Sequence, residues 1–457
     1  MDWTPTIADR QGPLYQRIVN ALADDIAAGR LHQGQALPTH RALAQALGID
    51  LTTVTRAYAE AQRQGLTEAT VGRGTFVKAP PAANARAPAS PGIDLSMNLP
   101  PQPADADLDA RLAKALSDVR AEQGLAAYLT YQHPGGTPAE RQAAAAWLDD
   151  LLPALPPERL VVAPGTQAAL YALLLIHAAR DKAILTEELT YPGLKAAAAL
   201  AGIGLIGVAM DGDGIIPAAL DRAARGGEAR VVFLMPTIHN PTAATMPAER
   251  RARIAEIIRK RKLTLIEDDP YTLLAPGLAP VASLVPEQSY FAASLSKSMA
   301  PGFRTSLVAV PSAEAGHELT AVLRATLQMP VPLMAAVVAR WMRDGSATKI
   351  IGAVRAEAKA RQDLAREALA GHAYAAHPSG LHIWLPLPGA WPAERFAAHL
   401  NGRGLAVVTS DAFATGAAPP NAIRLALGAA RSRAQLAKAL DILSGSLTAR
   451  APGSVVV

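Results

Sequence analysis

Leu14, Ile18, Leu22 and Ile26 recur every fourth residue and draw one apolar stripe along a helix, which Gly29 is placed to end. A second periodic run, RALAQAL, has Thr39 at its N-cap position and Gly48 as its stop. Asp50 then stands as N-cap before LTTVTRAYAEAQRQ, which sets Val54, Tyr58 and Ala61 on one face. LTEAT and TFVKA, on either side of VGRG, read as two short strands around a glycine-bearing turn. Residues 1–78 therefore predict a small helical module closed by a hairpin.

The pattern changes at residue 79. The stretch APPAANARAPASPGI, residues 79–93, is rich in Pro and Ala and has no periodic burial. It predicts a semi-rigid linker, reaching roughly 45 Å if extended. Over residues 94–450 short apolar runs alternate with helical ones: RLVVAP, AILTE, GLIGVAM, RVVFLMP, LTLIEDD and SYFAASL are the strand-like members. This alternation predicts an α/β domain with a mostly parallel sheet.

Composition narrows the function classes. At 457 residues the chain is too long for one ordinary core, and 50% hydrophobic with 18% charged residues is globular, not disordered. With no cysteine there is neither a disulfide framework nor a thiolate metal site. The N-terminus lacks the apolar core of a signal peptide, and the longest apolar run, AALYALLLIHAA, is too short to span a bilayer. These features predict a soluble, cytoplasmic protein with no membrane partner. A net charge of +5 permits nucleic-acid binding without arguing for it.

The N-terminal module carries a DNA-reading chemistry. A winged helix-turn-helix lays the N-terminal side chains of its second helix in the major groove. Thr52, Thr53, Thr55 and Arg56 stand there, groups suited to base edges and phosphates, while Arg41 is placed for the backbone and Arg73 for a groove at the hairpin tip. A protein-interaction module with a solvated arginine at its turn would read similarly. The order is more specific than the pattern: LPT-R-LA-LG followed by GRGTFV resembles the winged helix-turn-helix of the GntR family almost end to end. In that family a Ser/Asn-Arg pair usually opens the recognition helix, whereas here it is Asp50-Leu51. Losing that arginine removes one phosphate or base contact, and the departure bears on which operator sequence is read.

The C-terminal domain raises a different question. Lysines are few, ten against thirty-four arginines, yet Lys297 follows the apolar run SYFAASL inside SLSKSMAPGFR. Desolvation there lowers an amine's pKa and makes it a better Schiff-base nucleophile. Ser294, Ser296 and Arg304 are phosphate-binding types, and PGTQAAL opens a helix after a strand, offering backbone N–H groups to a phosphate. EDDPY and HNP end strands at the edge where α/β ligands bind.

That order resembles the fold type I aminotransferases, whose cofactor is pyridoxal 5′-phosphate. The resemblance implies a mostly parallel sheet with helices on both faces and a small C-terminal α+β subdomain. It makes Lys297 the lysine that carries the cofactor and Asp268 the partner of its pyridine nitrogen. Asn240 and Tyr271 would face the cofactor's 3′-oxygen, and Tyr191 would stack on its ring. Gly165, Thr166, Gln167, Ser294, Ser296 and Arg304 would cradle the phosphate, joined by Tyr131 of the partner subunit. Arg424 would take an effector's α-carboxylate. Ala243, in place of the usual glycine after HNPT, and His133 depart from the family pattern and bear on which effector fits.

Head, linker and aminotransferase-like domain in this order resemble the MocR subfamily of GntR-type regulators. The resemblance implies a head-to-tail homodimer that binds a double-stranded operator and responds to a small amine or amino acid. The alternative is a working aminotransferase with an appended helix-turn-helix, because transamination uses the same residues. Three further features read as structural. His372, His377 and His382 fit no metal-ligand spacing, MDGDG reads as a turn, and Arg259–Lys262 as a solvated helix face.

Overall fold

The structure is a computed structural model, and it describes residues 3–7, 13–27, 30–31, 35–63, 66–70, 74–77, 92–416 and 418–448. The chain divides into two compact units, Met1–Ser90 and Pro91–Val457.

In the first unit three helices, Leu14–Ala27, His40–Leu47 and Leu51–Arg63, precede an antiparallel hairpin, Thr67–Thr70 with Gly74–Val77. Ile18 and Leu22 of the predicted stripe are buried against Leu43, Val54 and Tyr58, but Leu14 at its start is 43% exposed. The first helical turn lies at the margin of this small core. Thr39 caps the second helix by accepting from the Ala42 N–H at 3.2 Å. Gly48 ends it in the left-handed conformation, at φ 63°, that glycine adopts without strain. Gly29, Gly72 and Arg73 lie outside the described residues.

The second unit is built on a seven-stranded sheet, ordered 160–163, 306–309, 289–294, 264–269, 231–234, 183–187, 204–208. All pairs are parallel except the two made by Ser306–Ala309. The six predicted strands are all present. Ser306–Ala309 is a seventh that the sequence pattern did not single out. Strands 160–163, 306–309, 289–294 and 231–234 are buried throughout, as a sheet covered on both faces requires. Carboxyl ends of the parallel strands therefore share one edge, where Pro164, Asp268 and Ser294 emerge.

A smaller antiparallel sheet, ordered 375–376, 382–386, 422–426, 408–409, forms the C-terminal subdomain around its own core. The segment from Gly92 is sewn onto it. Ile93–Asp94 pairs with Leu405–Ala406, and Leu95 both donates to Ala406 O and accepts from Ala426 N, each at 2.9 Å. No helix among the described residues is long and apolar enough to cross a membrane.

Candidate DNA interface and cofactor site

On the first unit the recognition helix begins at Asp50, whose carboxylate accepts from the Thr52 N–H at 2.7 Å and from the Thr52 hydroxyl. These bonds favour the charged form and hold its pKa below the usual carboxylate range. Asp50 thus replaces the missing family pair with a cap, and Thr52 spends its hydroxyl proton on that cap. The Thr55 hydroxyl likewise donates back to Leu51 O at 2.9 Å. Both hydroxyls retain acceptor lone pairs but not a free proton, so the expected base-donor role narrows to Thr53. Arg56 is exposed, and its guanidinium lies over the Tyr15 ring, 4.1 Å from the centroid. That stacking pre-orders the side chain. Arg41 is also exposed.

On the second unit the three carboxylates Glu267, Asp268 and Asp269 are all buried, and strand alternation separates their tasks. Glu267 accepts from the amides of Val281 and Ala282, and Asp269 from the Thr237 hydroxyl and the amides of Tyr271 and Thr272. Asp268 alone keeps a buried carboxylate oxygen with no partner. Burial, reinforced by Asp269, pushes its pKa up to about 7, with Lys297 opposing. Burial also lowers Lys297 to about 8, helped by Arg424 and opposed by Asp268. A desolvated amine and an unpaired acid therefore sit within electrostatic reach of each other.

Near them lie groups of the type that could hold an anion. Gly165, at φ 97°, heads the helix Thr166–Ala178, and a Cβ there would lie 2.6 Å from the Arg304 guanidinium. At that φ an L side chain is strained, so glycine suits the turn that brings the guanidinium beside the helix N-terminus, where the first amides lack helical partners. The Thr166 hydroxyl donates to Ser306 Oγ at 2.9 Å, and Ser306 pairs in register with Ser294 and Ala163. Gln167 donates to Gly193 O at 2.8 Å, and a Cβ on Gly193 would lie 2.3 Å from the Tyr191 ring. Gly193 is thus a site residue that sequence reasoning missed, marked only by its place in LTYPG. Burial raises the Tyr191 hydroxyl pKa, with Asp268 adding to the shift and Arg304 and Arg424 opposing it.

Arg424, buried on the central strand of the small sheet, donates to Asn240 Oδ1 at 2.9 Å and to the Ser96 carbonyl. Its Nε has no partner, and its guanidinium stacks 5.0 Å from the Phe413 ring centroid. Burial lowers its pKa to about 10. Lys297 donates to the Asn98 carbonyl. The Asn98 carboxamide in turn lies 2.7 Å from Tyr271 Oη and 3.1 Å from His382 Nδ1.

The site thus joins Lys297, Asp268, Asn240, Tyr271, Tyr191, Arg304 and Arg424. It also includes Asn98 and His382, the second of which the sequence reading had set aside as structural. Tyr131 is 81% exposed, pointing away from its own chain's packing. Ala243 holds φ 60°, a conformation glycine adopts more cheaply, and His133 accepts from the Gly135 N–H within its turn. Among the described residues no group of His, Cys, Asp and Glu could hold a metal ion. MDGDG forms a two-stranded turn whose Asp211 binds Arg250.

Residues 90–443 match the aminotransferase class I and II family. The chain belongs to that family. Residues 14–77 match the bacterial regulatory proteins of the gntR family, so this aminotransferase-like chain carries a helix-turn-helix head, the architecture of the MocR subfamily. Among curated relatives, the uncharacterized HTH-type transcriptional regulator YdeF of Bacillus subtilis (strain 168) is 29% identical over 449 residues, covering 97% of this chain and 96% of its own. The vitamin B6 salvage pathway transcriptional repressor PtsJ of Salmonella typhimurium is 28% identical over 422 residues, covering 91% of this chain and 94% of its own. An archaeal alanine:glyoxylate aminotransferase structure superposes with a TM-score of 0.72 at 23% identity, over 78% of this chain and 90% of that one, which shows the shared fold. Aminotransferases of this class ordinarily depend on pyridoxal 5′-phosphate.

Proposed function

We propose that this protein is a transcription regulator that holds pyridoxal 5′-phosphate on Lys297 and answers to an amine or amino acid. The observation that carries the reading is desolvated Lys297 within electrostatic reach of the orphaned carboxylate of Asp268, on a chain whose other unit is a gntR-type head. The residues fit the cofactor: an acid with an orphaned oxygen for a ring nitrogen, a desolvated amine, and a helix N-terminus with Arg304 beside it for a phosphate. The name of the Salmonella relative, a repressor of vitamin B6 salvage, agrees with a regulator of this architecture handling a B6 coenzyme.

When bound, the cofactor supplies an electrophilic carbon and a ring that withdraws electrons from it. Lys297, at about 8, offers a substantial neutral amine fraction near physiological pH. Asp268 would keep a proton on the ring nitrogen, and Asn240 and Tyr271 would bind the 3′-oxygen. Tyr191 would cover the ring. Gly165, Thr166, Gln167, Ser294, Ser296 and Arg304 would hold the phosphate, with Tyr131 of the partner subunit completing the cradle in a head-to-tail homodimer. Arg424, with its planar fork, would bind the effector's carboxylate. Arg41, Thr52, Thr53, Thr55, Arg56 and Arg73 would face operator DNA in the cytoplasm.

The test is chemical. Purified protein should be yellow, and borohydride should fix a pyridoxyl group on the peptide containing Lys297. A Lys297→Ala variant that still forms the same covalent adduct would refute the assignment.

A further inference from the structure

Asn98 stands in a stretch, IDLSMNLPP, with no recognisable motif, yet it is 5% exposed and bonded to three groups of the site. Its backbone carbonyl receives the Lys297 ammonium, and two residues earlier the Ser96 carbonyl receives Arg424. Its side chain meets Tyr271 and His382, which come from segments 173 and 284 residues away in sequence.

The hydrogen-bond directions can be worked out from the far end. His382 Nε2 lies 3.1 Å from the His239 carbonyl oxygen, which can only accept, so Nε2 carries a proton. Burial, aided by the charge of Arg424, lowers the His382 pKa to about 3, so the ring is neutral and Nδ1 is an acceptor. The group 3.1 Å from Nδ1 must donate, which fixes the Asn98 carboxamide with its NH₂ toward His382. The second N–H of that NH₂ then points at Tyr271 Oη, 2.7 Å away, and the phenol oxygen accepts it. Tyr271 has one proton, and it is left for an acceptor elsewhere in the site. The Asn98 oxygen is buried without a partner, so the carboxamide is not held there by saturating its own hydrogen bonds.

We infer that Asn98 is a positioning residue of the site: oriented by His382, it fills the Tyr271 oxygen from behind and directs the Tyr271 hydroxyl proton toward the bound cofactor. The inference rests on the cofactor reading above. It separates Asn98 from a packing asparagine, which could be rotated or replaced without changing what Tyr271 offers. An aspartate at this position reverses the arrangement. Its carboxylate only accepts, so it would draw the Tyr271 proton toward itself and away from the site.

The experiment compares the visible absorption band and the affinity for added pyridoxal 5′-phosphate across the full-length wild type, Asn98→Asp, Asn98→Ala, Tyr271→Phe and the Asn98→Asp/Tyr271→Phe double variant. Asn98→Asp should move the band in the same direction as Tyr271→Phe and weaken cofactor binding by about three- to tenfold, the effect of one hydrogen bond. In the Tyr271→Phe background the same substitution should move the band no further, because the proton it diverts is already gone. Asn98→Ala introduces no charge and should shift the band less, still through Tyr271; it decides the matter if Asn98→Asp does not fold. A band unchanged in both Asn98 variants, or shifts that simply add in the double variant, overturns the role of Asn98 and leaves the cofactor reading standing. Wild-type protein that takes up no pyridoxal 5′-phosphate overturns both.

Discussion

Asp268 and Lys297 are costly residues to bury, and the cost has a pH signature. The folded state raises Asp268 from 3.8 to about 7, so between those values the folded chain binds the proton that the unfolded chain has released. Stability therefore falls as pH rises through this window, and the full penalty is present above about 7. At 1.36 kcal/mol per unit the penalty has an upper bound of about 4 kcal/mol. Cofactor-free Asp268→Asn should accordingly resist urea better than wild type at pH 8, with the advantage shrinking as pH falls toward 4. Equal stability of the two proteins at both pH values would mean that the carboxylate is solvated. The same substitution should weaken cofactor retention, since an amide holds the ring-nitrogen proton less well. At this scale the sequence pointed to Lys297, Asp268 and Arg424, and the structure brings the buried Asp268 and Arg424 within electrostatic reach of Lys297. Asn98 and His382 were not readable, because their role arises only where segments remote in sequence meet. Three evenly spaced histidines also invited a metal comparison that concealed the one facing the site.

Elements were more legible than contacts. Six strands announced themselves as apolar runs bounded by turn residues, whereas Ser306–Ala309 is a four-residue run directly after Arg304-Thr305, with no turn signal to separate it. On the recognition helix the pattern placed Thr52, Thr53, Thr55 and Arg56 correctly at its start. It could not show that two of the hydroxyl protons are spent within the helix. This gives a graded expectation for operator binding. Arg56→Ala should lower affinity evenly across sequences and reduce the salt slope by about 1, as for one lost phosphate contact. Thr53→Ala should relax preference at one base position by about 1–3 kcal/mol. A sequence-specific loss from Arg56→Ala would instead make Arg56 a base reader. The segment Gly92–Asn98 carries a further expectation, because its carbonyls at Ser96 and Asn98 accept from Arg424 and Lys297. When the cofactor and a carboxylate-bearing amine engage those side chains, the strap loses two anchors. Hydrogen exchange in a peptide covering residues 93–99 should then quicken, and exchange that stays the same would show that the strap is held by its backbone bonds to the small subdomain, not by Arg424 and Lys297.

For the whole molecule, the gntR-type head and the aminotransferase-like unit are joined through residues that lead directly into that strap. Occupancy of the site can regulate DNA binding only if the liganded and unliganded forms differ in their preference between head arrangements. A working aminotransferase would need no such difference. The most direct measurement is therefore operator affinity of the cofactor-loaded full-length protein, with and without amine, while transfer to a keto acid is followed in the same preparation. The regulator account predicts a change in operator affinity of about fivefold or more, a usual size for allosteric coupling. It also predicts that Lys297→Ala abolishes the response. Operator affinity indifferent to both cofactor and amine, alongside rapid amino-group transfer, would contradict it and make the chain an enzyme.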